Sequence, residues 1–109
     1  MKQILLDGAA LTTRAQIHQT LAEALDFPPY YGGNLDALYD CLTDLHLPVR
    51  IDLVNTDALE QTLNHWVNAL RQTLTEAAAE NPNLTVTETA GPLPEPTKKE
   101  GTAMKKVLN

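Results

Sequence analysis

Cysteine is nearly absent. Cys41 stands alone, so no internal disulfide can form, which suits a reducing compartment. Long apolar runs are absent too. The run near the N-terminus ends at Asp7, too short for a signal-peptide core or a membrane span. The cytoplasm is the expected location, with no membrane partner. Basic residues are scarce: residues 1–90 hold only Lys2, Arg14, Arg50 and Arg71 against twelve Asp and Glu, a net charge of −8. A compact domain so charged repels nucleic acid and attracts basic proteins. No glycine-rich phosphate loop exists, since Gly32-Gly33 precedes no Lys-Ser/Thr pair. His18, His46 and His65 lie on separate segments and share no stripe with the acidic residues. No metal, cofactor or catalytic set is therefore expected, and the chain reads as a binding protein, not an enzyme.

The 109 residues fit one domain. Composition changes near residue 91, where Gly91, Pro92, Pro94 and Pro96 lead into a lysine-rich end of net charge +2. Residues 1–90 are expected to form the folded domain, and 91–109 a disordered Pro/Lys-rich tail.

Within the domain, residues 3–7 read as a short strand ended by Gly8. Thr13 and Gln16 form a capping box, and Ile17, Leu21, Ala24 and Leu25 recur at helical spacing until Pro28-Pro29 stops the helix. Asn34 is a good N-cap for a second helix reaching about Leu45. A strand from Val49 to Val54 follows, then an N-cap at residues 55–57 and a helical stretch from Ala58 to Glu80, with a break expected at Asn64. Leu84 to Glu88 reads as the last strand. Crossovers of this length favour parallel strands with right-handed connections. The expected fold is α/β, a three-stranded parallel sheet packed by three to four helices.

The second helix has two faces. Leu38, Cys41, Leu42 and Leu45 fall on one stripe, expected to face the core. Asp36, Tyr39, Asp40 and Thr43 fall on another, roughly 160° away, with Leu35 at its border. All three tyrosines of the chain lie within residues 30–39. Tyrosine offers large contact area with few rotors and is enriched at binding hot spots. Periodicity alone also fits a plain solvated acidic face, and Tyr30-Tyr31 could pack down on the core. A metal site or acid/base pair built on Asp36 and Asp40 would need convergent partners that the stripe lacks.

The segment from Pro29 to Thr43, PYYGGNLDALYDCLT, resembles the signature of the barstar family, inhibitors of barnase-like ribonucleases. Ile17-His18-Gln19-Thr20-Leu21 is similar to that family's first helix, and residues 76–80 sit where it has its last. The resemblance spans about residues 1–90. It implies the same parallel-sheet fold and an inhibitory surface of Tyr30, Tyr31, Gly32, Asn34, Leu35, Asp36, Tyr39, Asp40 and Thr43, with Glu76 as a peripheral carboxylate. The implied partner is a basic, barnase-like ribonuclease; the alternative is an acidic binding module for another basic protein. Barstar has tryptophan where this chain has Tyr39, glutamate where it has Gly33, and a second cysteine near the position of Asn83.

Overall fold

The computed structural model describes residues 1–92. The expected tail thus lies, from residue 93 on, outside the described residues. Strands β1 (Lys2–Asp7), β2 (Val49–Val54) and β3 (Leu84–Glu88) form one parallel sheet in the order β1-β2-β3. Ile4 pairs with Ile51, which pairs with Val86. Helices α1 (Arg14–Leu25) and α2 (Leu35–Thr43) connect β1 to β2. Helices α3 (Thr56–Leu63) and α4 (Trp66–Glu80) connect β2 to β3. The expected fold is the one found. The break at Asn64 is real: its φ of 53° lies in the left-handed region, where asparagine is tolerated, and it separates α3 from α4.

One face of the sheet carries Ile4, Leu6, Ile51 and Leu53 into a core shared with Ile17, Leu21, Leu38, Leu42, Leu70 and Leu74. Strand alternation sends Gln3, Arg50, Asp52 and Thr87 to the opposite face. There Asp52 is only 2% exposed. It accepts hydrogen bonds from Gln3 Nε2 at 2.9 Å, from Arg50 Nε at 2.8 Å, and from the Thr87 hydroxyl. Burial pushes its carboxyl pKa up, but these bonds and the Arg50 charge more than offset that, leaving it below the usual carboxylate range. Asp52 therefore stitches all three strands across the polar face.

The capping box at Thr13 and Gln16 forms as expected. The start of α3 does not. Asn55 makes no side-chain cap; at φ 54° it turns its amide to donate to Asp7 Oδ1 at 2.7 Å. The first N–H groups of the helix find carbonyls instead. Asn55, Thr56 and Asp57 donate to Gly91, Thr89 and Ala90 at 2.9, 3.3 and 3.2 Å. Gly91, expected to begin the tail, is thus tied to the folded domain. Gly8 has a comparable reason for its identity: a Cβ there would stand 2.3 Å from the Asn55 carbonyl oxygen.

Deletion of residues 93–109 is expected to leave the melting temperature unchanged. Deletion from Thr89 onward uncaps α3 and should cost at least about 1 kcal/mol, the usual worth of a helix cap. Thermal unfolding of the two truncations checks this; equal melting points would show that the 89–91 carbonyls do not hold the helix.

Candidate functional site

Helix α2 is nine residues long, too short to persist alone in water. Three features hold it. Asn34 Oδ1 accepts the Ala37 N–H at 2.8 Å, and the preceding Gly33 reaches this cap through φ 67°, a conformation glycine adopts without strain. Leu38 and Leu42 are wholly buried against the core. At the C-terminal end, buried Asn81 donates from Nδ2 to the Leu42 and Leu45 carbonyls at 2.9 and 3.0 Å, joining the Leu45 N–H on the first and Asn83 Nδ2 on the second.

With the inner stripe locked, the outer one is fixed in direction. Asp36 and Asp40 are exposed, and Tyr39 and Thr43 are half-buried. The Thr43 hydroxyl folds back to donate to the Tyr39 and Asp40 carbonyls at 2.9 and 3.1 Å. Cys41, expected in the core, is only half-buried. Its thiol pKa is pushed up by burial and by the Asp40 and Asp44 charges, so it stays protonated and a poor nucleophile.

The loop before α2 splits its two tyrosines. Tyr30 is 87% exposed. Tyr31 turns inward, with its ring 4.9 Å from that of Phe27 and its hydroxyl 2.5 Å from His18 Nδ1. Burial, with the nearby Cys41, raises the Tyr31 pKa to about 12, so the hydroxyl keeps its proton while it shares a hydrogen bond with His18 Nδ1. Burial holds the His18 pKa below the usual imidazole value. Tyr31 anchors the loop that presents Tyr30 and exposed Gly32.

Two clefts flank α2, and Asp40 borders both. One, about 490 Å³, lies toward the α1–α2 connection and is lined by Asp26, Tyr30, Asp40, Cys41, Thr43 and Asp44 among others. The other, about 320 Å³, lies between α2 and α4 and is lined by Leu35, Asp36, Tyr39, Asp40, Thr73 and Glu76. The structure thus brings Glu76 to the α2 stripe from a helix far along the chain. Sequence reasoning overlooked Asp26, Asp44 and Thr73. Thr73 lies three residues before Glu76, one helical turn away on the same face, a usable signal.

Five carboxylates gather here: Asp26, Asp36, Asp40, Asp44 and Glu76. Among the described residues none forms a salt bridge, because Arg50 pairs with Asp52 and Arg71 with Glu60 and Glu88. Unpaired, exposed carboxylates beside an exposed tyrosine can accept charge-assisted bonds from guanidinium and ammonium groups. Among the described residues no three His, Cys, Asp or Glu converge as metal ligands, and no helix is long and apolar enough to cross a membrane.

Fold and surface define the class: a small α/β domain with a three-stranded parallel sheet that presents an acidic helix. Within that class the chain belongs to the barstar family. The family's model, described as "Barstar (barnase inhibitor)", matches residues 1–90. The chain is also 37% identical over 81 residues to the Bacillus subtilis (strain 168) protein named "Putative ribonuclease inhibitor YrdF", covering 73% of this chain and 89% of that one.

Burial favours the neutral form of His18 in the folded protein, so the unfolded chain binds the proton more readily. That stability is complete above pH 6.5, the ordinary imidazole value, and drains away as the pH falls through the lowered folded-state value. The melting temperature should therefore rise as the pH is raised towards neutrality from below 6.5, and the rise should shrink in His18→Leu. An equal slope in the variant would assign it to other groups.

Proposed function

We propose that the protein inhibits a barnase-like ribonuclease by seating α2 and its preceding loop in the enzyme's basic active site. A ribonuclease must bind an anionic phosphodiester, so its groove is concave and cationic. A carboxylate on a rigid helix enters such a groove as a phosphate mimic. The observation that carries this reading is Asp40: exposed, without a cation partner among the described residues, and standing between two clefts that can receive the rims of a groove.

In this reading Asp40 takes the enzyme's guanidinium groups, with Asp36 and Glu76 as flanking anions. Tyr30, Leu35 and Tyr39 cover apolar surface and exclude water around the ion pairs. Tyr31, Gly32, Asn34 and Thr43 complete the surface, Tyr31 and Asn34 partly by fixing the loop and the helix start. The protein works in the cytoplasm, where its lone thiol stays reduced. It performs no reaction and needs no cofactor.

Titration of barnase with the protein is expected to abolish RNA cleavage at equimolar ratio. Binding without inhibition would favour an acidic module for a different basic partner, and cleavage by the protein alone would make it an enzyme. Asp40→Ala is expected to cost about 2 kcal/mol or more in affinity, the range of interface hot spots, with little change in melting temperature. Asp57→Ala, which removes an exposed carboxylate at the start of α3, should change affinity far less. Equal losses in the two variants would displace Asp40 from the centre of the interface.

Association should slow as salt rises, since exposed charges are screened beyond about 8–10 Å at physiological ionic strength. Stopped-flow mixing at low and high salt measures this. A flat association rate would remove the steering role of the acidic surface.

A further inference from the structure

The domain is poor in cations, and most of them are spent internally. Lys2 Nζ donates to the Ala24 carbonyl at 2.6 Å. Arg50 is bound to Asp52, and Arg71 bridges Glu60 and Glu88. Arg14 differs. Its side chain has no hydrogen-bond acceptor and no ion-pair partner among the described residues; its guanidinium lies 5.6 Å from the centre of the Trp66 ring. Cation–π contact of this kind holds a guanidinium without using its donors.

Arg14 and Trp66 line a cleft of about 500 Å³ with His18, Asn34, Leu35 and Asp36. Trp66 is fixed in turn, its ring 5.8 Å from His18 in an edge-on arrangement. The cleft continues the acidic face, because Leu35 and Asp36 also line the cleft between α2 and α4. A partner seated on α2 therefore reaches Arg14. Against a basic partner a lone guanidinium is unfavourable unless something negative meets it.

We infer that Arg14, held over Trp66, is a specificity-determining contact that receives a carboxylate from the rim of the ribonuclease. The inference rests on the inhibitor reading above. Asp36 on the other wall meets a cation of the enzyme, so the cleft matches a rim where an Asp or Glu flanks the basic groove. A guanidinium already positioned loses little rotamer freedom on binding and can donate two parallel bonds to a carboxylate. Ribonucleases equally basic but without that carboxylate would bind less tightly.

The sign of one substitution separates this contact from general attraction. Arg14→Glu makes the inhibitor two charges more negative. If steering alone mattered, it would bind barnase faster and at least as tightly. The proposal requires the opposite: Kd raised at least tenfold through faster dissociation, with a smaller rise for Arg14→Ala. A scan of Asp and Glu to Lys on the barnase rim should find one variant that restores Arg14→Glu. Trp66 is the only tryptophan, so 5-fluorotryptophan labelling gives a single ¹⁹F resonance that should shift in the complex. Unchanged or tighter binding by Arg14→Glu, or an unmoved resonance, overturns the proposal. Should the unaltered protein fail to inhibit barnase at all, the inhibitor reading itself fails, before any variant is compared.

Discussion

The structure depends on the grip of α4 and its C-terminal turn on α2. Leu38 and Leu42 bury the inner side of α2, and Asn81 closes its last carbonyls. Truncating such a leucine typically costs about 2–5 kcal/mol. Losing the Asn81 amide would remove two side-chain bonds to those carbonyls, each worth about 0.5–1.5 kcal/mol. With the Asn34 cap, these contacts give a nine-residue helix one direction, and that direction decides which of its side chains stand at the surface.

Charge is distributed to the same end. The polar face of the sheet keeps Asp52 ionised with bonds drawn from all three strands, and Arg71 ties α3, α4 and β3 together. These pairings consume cations away from α2 and leave its carboxylates unneutralised. Like charges at Asp36 and Asp40 oppose the helix slightly. The fold accepts this cost where a basic partner would reverse its sign.

Two of the departures from barstar, Gly33 and Tyr39, lie outside the buried core. Gly33 sits at a positive φ with open space around it, so its backbone serves the helix start while adding no carboxylate. Tyr39 packs partly against the core and partly beside Asp40 and Glu76. A tyrosine there keeps a flat ring in the cleft but covers less area than tryptophan. Trp66 and Arg14 supply aromatic and cationic character on a neighbouring wall instead.

Several features were written in local sequence. Alternation and helical spacing gave the elements and the parallel sheet; the Thr13–Gln16 box and the Asn34 cap follow from short-range chemistry, and the two stripes of α2 from a period of 3.6. The PYYGGNLDALYDCLT segment carried the family. What local pattern could not decide was every relation between distant segments. Glu76 and Thr73 face Asp40 only because α4 packs on α2. Asn55 looks like a cap in sequence, yet Asp7 claims its amide and residues 89–91 cap the helix. Tyr30 and Tyr31 are identical letters, and Phe27 together with a histidine thirteen residues earlier draws one of them inward. Such choices belong to tertiary structure because a side chain's partner is fixed by where the whole chain brings other groups, and periodicity along one segment carries no information about that.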